Sequence, residues 1–158
     1  MKKFIVLIAL VLALLTSCQL GVRQLTTGEI QYLQDCMAQP TEFEIKASDY
    51  EAAWGRASKF VVKYSDTQLK TNNNNYLDTQ EPAGTFTGYW YKVTGVKSDA
   101  EKYTIEVICF SNVWGGNWKE ENAHILAYYI KNNKLMPEMI DRRGSDVYAG
   151  PMRSQYKK

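Results

Sequence analysis

The run Ser48-Asp49-Tyr50-Glu51-Ala52-Ala53-Trp54-Gly55-Arg56-Ala57-Ser58-Lys59-Phe60-Val61-Val62-Lys63-Tyr64 carries a start signal and a period together. Ser48 with Glu51 three residues on has the form of a capping box, in which each side chain satisfies a backbone N–H left open at a helix start. Tyr50, Ala53, Trp54, Ala57, Phe60, Val61 and Tyr64 then recur at the spacing of one helical face, which predicts an amphipathic helix of about four to five turns. An apolar stripe of that kind must be covered by a second layer. Gly55 costs about 1 kcal/mol relative to alanine inside such a helix, so it is expected to mark a close approach to another element.

Downstream of Tyr64 the period changes from helical to alternating. Leu69 to Thr79 is expected as one edge strand with a distorted centre, because Asn72 to Asn75 have poor strand propensity while Tyr76 and Leu77 have good. Glu81-Pro82-Ala83-Gly84 is a turn sequence. Phe86 to Val96 puts Tyr89, Tyr91 and Val93 on one face, with Phe86, Trp90 and Val96 on the other. After a polar turn, Lys97 to Ala100, the residues Tyr103, Ile105, Val107, Cys109 and Val113 form the apolar face of the next strand. Its opposite face carries Thr104 and Glu106, then Ile108 and Phe110, so that face reads as wet at one end and covered at the other. Short connections between such strands imply an antiparallel meander.

Trp114-Gly115-Gly116-Asn117-Trp118 ends the sheet. Glu120 and Glu121 suit a helix start, and Ala123, Leu126, Ala127 and Ile130 fit helical spacing. Ile125, Ala127 and Tyr129 also alternate, so residues 120–132 are open to a strand reading; helix is preferred. Upstream, Thr27 is expected to cap a short helix carrying Ile30, Leu33 and Met37 and ending before Pro40. Phe43 and Ile45 alternate with Glu42, Glu44 and Lys46, a pattern that suits a short strand. The expected fold class is α+β: an amphipathic helix packed on a three- or four-stranded antiparallel meander sheet, with a second helix after the sheet. Residues 27–136 form the single domain, and residues 137–158 an irregular basic tail.

The first eighteen residues follow other rules. A basic pair, Lys2 and Lys3, precedes twelve apolar residues, Phe4 to Leu15, and then the small residues Thr16 and Ser17. That is the grammar of a secretory signal peptide. At a helical rise of about 1.5 Å per residue the apolar run extends only about 18 Å, too short for a hydrocarbon core about 30 Å thick. Leu15-Thr16-Ser17-Cys18 resembles the lipobox of bacterial lipoprotein precursors. The resemblance covers residues 1–18 and implies that residues 1–17 are removed and that Cys18 is lipidated as the new N-terminus, with residues 18–26 as lipidated start and tether. Several acyl chains on one residue anchor firmly, at about 0.8 kcal/mol for each buried methylene. In lipoproteins of this kind an aspartate after the cysteine favours the inner membrane; Gln19 stands there, so the outer membrane is expected if the cell is Gram-negative.

Processing also changes the charge balance. The chain has 19 Lys plus Arg against 17 Asp plus Glu, and loss of residues 1–17 takes Lys2, Lys3 and no acid, leaving 17 against 17. A formally neutral domain lacks the basic excess that phosphate contacts require, so no nucleic-acid partner is expected.

Catalytic candidates are few. With His124 the sole histidine, zinc sites built on two or three histidines are excluded. No phosphate-loop or dinucleotide-binding glycine pattern occurs and the asparagine run lacks the acids of a calcium loop, so neither cofactor nor metal is expected. Cys109 with His124, oriented by Asn112 or Asn117, is the available thiol–imidazole pairing, but Cys109 lies on the expected core face of a strand, where a structural thiol is the expected role. Cys36 and Cys109 are candidates for a disulfide in an oxidising compartment; it would close a loop of about 74 residues and stabilise by about 4 kcal/mol. Trp114 and Trp118 flank two glycines, so they can either project and stack on sugar rings or fold back as a lid on the core. The expected role is a membrane-anchored, non-enzymatic binding or assembly module for an envelope protein or glycan. The alternative is a small envelope hydrolase or transferase working through carboxylates such as Asp99, Glu101 or Glu106.

Overall fold

The computed structural model describes residues 24–84, 87–112 and 118–140. Its elements in chain order are α1 (Thr27–Ala38), β1 (Glu42–Lys46), a 3-10 turn (Ala47–Asp49), α2 (Tyr50–Tyr64), β2 (Leu69–Asn72), β3 (Tyr76–Thr79), β4 (Tyr89–Lys97), β5 (Lys102–Ser111), α3 (Trp118–Asn132) and a second 3-10 turn (Pro137–Met139). The class is α+β. One five-stranded antiparallel sheet has the order β1-β5-β4-β3-β2. The expected meander is therefore present as β2 to β5, with β1 added beside β5.

α2 buries Ala53, Trp54, Ala57, Phe60, Val61 and Tyr64, the expected stripe. Its entry differs from expectation. Asp49 occupies the cap position without a side-chain hydrogen bond, and Ser48 instead bonds Asp49 at 3.2 Å. The chain is already committed before the helix, because Ala47 N–H donates to Glu101 C=O at 2.7 Å and turns into the 3-10 segment. The capping box is found on α1, where Thr26 Oγ1 accepts from Glu29 N at 3.3 Å and Glu29 Oε2 accepts from Thr26 N at 2.8 Å. The buried stripe of α1 is Glu29, Tyr32, Leu33 and Cys36, whereas Met37 is exposed.

The asparagine run is the turn of a β2–β3 hairpin, not the distorted middle of one strand. Asn73 Oδ1 accepts from the N–H groups of Asn75 (3.1 Å) and Tyr76 (2.8 Å), the local bonding that makes asparagine a turn residue. α2 holds the turn from outside: Trp54 Nε1 donates to Asn73 C=O at 2.8 Å and the Tyr50 hydroxyl to Asn74 C=O at 2.7 Å. Two strands thus replace one, which with β1 makes five.

β4 alternates as expected. Tyr89, Tyr91, Val93 and Gly95 are buried and face the helices. Ile105, Val107 and Cys109 of β5 lie on the same side. Phe60 of α2 meets Tyr91 edge-on at 5.6 Å and Tyr129 of α3 at 6.3 Å, so both helices cover one sheet face around one core. α1 packs along α3. Residues 120–132 are helical, with Glu121 and Asn122 buried in the opening turns and Ile125, Leu126, Ala127 and Ile130 in the core. The helix stops at Asn133, whose φ of 55° lies in the left-handed region that asparagine tolerates. Arg56 of α2 donates from Nε (2.8 Å) and Nη2 (2.5 Å) to Ile130 C=O, placing a cation on the negative end of α3.

The core extends beyond the expected limits at both ends. Leu25, placed in the tether by sequence, is buried, as are Met139 and Ile140, placed in the basic tail. Among the described residues no helix is long and apolar enough to cross a membrane.

Candidate functional site: the open face of the sheet

The strand residues that do not face the helices form the second side of the sheet, and the registers fix its layout. Trp90 stands opposite Phe110, and Lys92 lies between Asp78 and Ile108. The next row is Tyr76, Thr94, Glu106 and Glu42, and beyond it lie Val96, Thr104 and Glu44. One end of this face is therefore aromatic and the rest is polar. Trp90 and Phe110 stack with centroids 5.7 Å apart and planes within 17°, and 36% of Phe110 remains exposed. Lys92 Nζ sits 5.6 Å from the ring centre of Tyr76. Val96 is 63% exposed.

Polar bonds on the face run along the surface. Thr94 Oγ1 donates to Glu106 Oε2 at 3.3 Å, and Ser98 and Thr104 share a hydroxyl bond at 2.5 Å. Lys102 Nζ donates to Glu44 Oε2 at 2.8 Å, a bond that raises the lysine pKa and, being exposed, adds little stability. Such a face offers aromatic surface for stacking beside donors and acceptors of both signs.

The residues singled out from sequence fall in several places. Cys18, Trp114 and Asn117 lie outside the described residues, as do Phe86 and Val113 of the expected strand faces. Trp118 opens α3 and packs half-buried against the core, which is the lid-like role for that indole. Cys36 and Cys109 are separate buried thiols, so the candidate bridge is not formed. Each sits beside a tyrosine hydroxyl, Cys36 by Tyr32 and Cys109 by Tyr91. Burial pushes the Cys36 thiol up to about 12 and holds the Tyr91 hydroxyl well above its ordinary range. A thiol with so high a pKa stays protonated and unreactive.

No thiol–imidazole pair is assembled from the described residues. His124 Nδ1 is bound to Gln39 C=O at 2.7 Å, Cys109 Sγ contacts Phe110 C=O at 3.7 Å, and Asn112 Oδ1 accepts from Gly88 N at 3.0 Å. The carboxylates of the alternative reading are scattered. Asp99 Oδ1 accepts from Glu101 N at 2.7 Å within the β4–β5 turn, while Glu106 bonds Thr94 on the open face. Among the described residues no cluster of three or more His, Cys, Asp or Glu is placed to hold a metal ion.

The Trp90–Phe110 pair was not singled out from sequence. Each residue was read on the second face of its strand, at an end of the later strand expected to be covered. Phe110 is instead 36% exposed, and only the β4–β5 register brings the two rings together. Comparison of the chain with protein-family models, with curated proteins and with solved structures finds no match to any.

Proposed function

We propose that the chain is the precursor of a bacterial cell-envelope lipoprotein, anchored through lipid on Cys18 and held at the outer membrane where the cell is Gram-negative. Its domain then acts as a non-enzymatic binding or assembly module for an envelope protein or glycan. The observation that carries the anchor is the order of basic pair, twelve-residue apolar run and Leu15-Thr16-Ser17-Cys18. The open face supports the binding role: a stacked Trp90–Phe110 pair beside Lys92, Thr94 and Glu106 suits a partner that presents both ring or apolar faces and hydrogen-bonding groups.

Cys18→Ser tests the anchor. The variant is expected to lose palmitate labelling and to leave the membrane fraction, or to accumulate unprocessed; palmitate incorporation equal to the parent overturns the reading. Trp90→Ala tests the face. Capture of peptidoglycan or of envelope proteins by the lipidated parent is expected to fall about tenfold or more in the variant, the loss of one well-placed aromatic contact. Equal capture by both removes the open face from the proposal.

A further inference from the structure

The two edges of the sheet are not alike. β2 is four residues long and its pairing with β3 slips between Leu69 and Thr71, which blunts it as a template for another strand. β1 pairs with β5 in unbroken register from Glu42 to Lys46, and among the described residues its other side is the end of the sheet. Thr41 C=O accepts from Val107 N at 2.9 Å and Ala47 N donates to Glu101 C=O at 2.7 Å. Alternate residues of an antiparallel strand point both backbone groups the same way. Phe43 and Ile45 therefore bond β5, and the N–H and C=O groups of Glu42, Glu44 and Lys46 point to the free edge.

The side chains at that edge are mismatched within the chain. Glu42 stands directly opposite Glu106, and Lys46 opposite Lys102. Like charges in directly opposed positions are destabilising. Lys102 turns diagonally to Glu44, and neither Glu42 nor Lys46 takes part in a described ion pair.

We propose that the free edge of β1 is a self-recognition strand, through which two copies of this chain join antiparallel about a twofold axis at Glu44. Glu42 then lies opposite Lys46 of the second copy and Lys46 opposite its Glu42, so each like-charge pair of the single chain gains an opposite charge. On the helical side Phe43 meets Ile45 of the second copy, an aromatic and β-branched pair. The outward groups of Glu42, Glu44 and Lys46 supply about six backbone hydrogen bonds in this register, because all three residues fall at hydrogen-bonded positions. The antiparallel register has one like-charge pair, Glu44 on its own copy at the axis, where each carboxylate is already held by its own Lys102. The parallel alternative has three, Glu42 on Glu42, Glu44 on Glu44 and Lys46 on Lys46, and is rejected by charge. Two five-stranded sheets become one, with all helices on the same side. A five-residue contact makes the dimer weak and concentration-dependent.

Charge reversal tests the register. Sedimentation equilibrium of the full-length chain in density-matched detergent is expected to give a monomer–dimer equilibrium. Glu42→Lys and Lys46→Glu, each counted twice by the symmetry, should each raise the dissociation constant about tenfold. The double variant Glu42→Lys/Lys46→Glu should return it to within about threefold of the parent, since the opposed charges are restored. Each single reversal also removes a like-charge pair inside the chain, so the thermal midpoint of the monomer should not fall; this separates a broken interface from a broken fold. A chain that stays monomeric at all concentrations overturns the proposal. So does a dimer indifferent to both reversals, or a double variant as weak as the singles.

Discussion

At Gly95 the sheet and α2 meet without room for a methyl group. A Cβ there would fall onto the hydroxyl and ring of Tyr50. That ring cannot step aside freely, since it stacks on Tyr103 with centroids 3.9 Å apart and donates to Asn74 C=O. Gly95→Ala is therefore expected to destabilise by about 1–3 kcal/mol, the usual cost of overpacking. Gly55 is the opposite case. Its position in α2 was expected to mark a close approach, yet a Cβ there would meet nothing within 4 Å. Gly55→Ala should stabilise by about 1 kcal/mol through helix propensity alone. Urea midpoints of the two variants against the parent check both signs. If Gly95→Ala is neutral, the Tyr50 stack is softer than described; if Gly55→Ala destabilises, that helix face has a partner.

The element that joins helix layer and sheet edge is the β2–β3 hairpin, tied by its turn carbonyls to Trp54 and Tyr50. Trp54→Phe keeps most of the buried ring and deletes the Nε1–H donor, which should cost about 1 kcal/mol. Hydrogen exchange at Asn75 and Tyr76, whose N–H groups bond Asn73 Oδ1, should accelerate while β4 and β5 remain protected. Uniform acceleration across the sheet would mean that the hairpin does not open alone. The same elements show what a single sequence can reveal. The stripe of α2 and the buried faces of β4 and β5 were legible because period and one-sided burial agree over nine or more residues. The hairpin was not, because strand propensity ranks asparagine low and says nothing of its side chain bonding a turn. Ser48 and Glu51 look like a cap, but the bond from Ala47 to Glu101, distant in sequence, sets the entry to α2. The place of β1 beside β5, and with it the β1 edge, depends on long-range pairing that local patterns do not encode. The Trp90–Phe110 platform depends on the β4–β5 register, which alternation within either strand does not set. The two thiols were candidates for a bridge on their number and an oxidising compartment, and neither reports which core neighbours each one meets.

At the scale of the whole molecule the buried acids of the core couple folding to alkaline pH. Burial, reinforced by the neighbouring Asp35 charge, pushes Cys36 from 9.0 up to about 12, although the Tyr32 hydroxyl pulls the other way. Burial and the nearby Tyr103 push Tyr50 from 10.0 up to about 12. Tyr32 and Tyr91 are also raised, chiefly by burial. In each case the folded chain holds a proton that the unfolded chain releases first. Their contribution to stability is therefore complete below pH 9.0 and is lost as pH rises towards about 12. Each proton released on unfolding steepens the loss by about 1.4 kcal/mol per pH unit. Cys36 begins this decline, because its ordinary value is the lowest of the four. Cys36→Ala carries a constant penalty for the cavity it leaves, but it lacks one of the protons released above 9.0, so its stability should fall less steeply with pH than that of the parent. Urea midpoints of parent and variant between pH 7 and 11 should therefore converge as pH rises above 9.0. Curves that remain parallel throughout would assign the alkaline loss to the tyrosines and remove Cys36 from it.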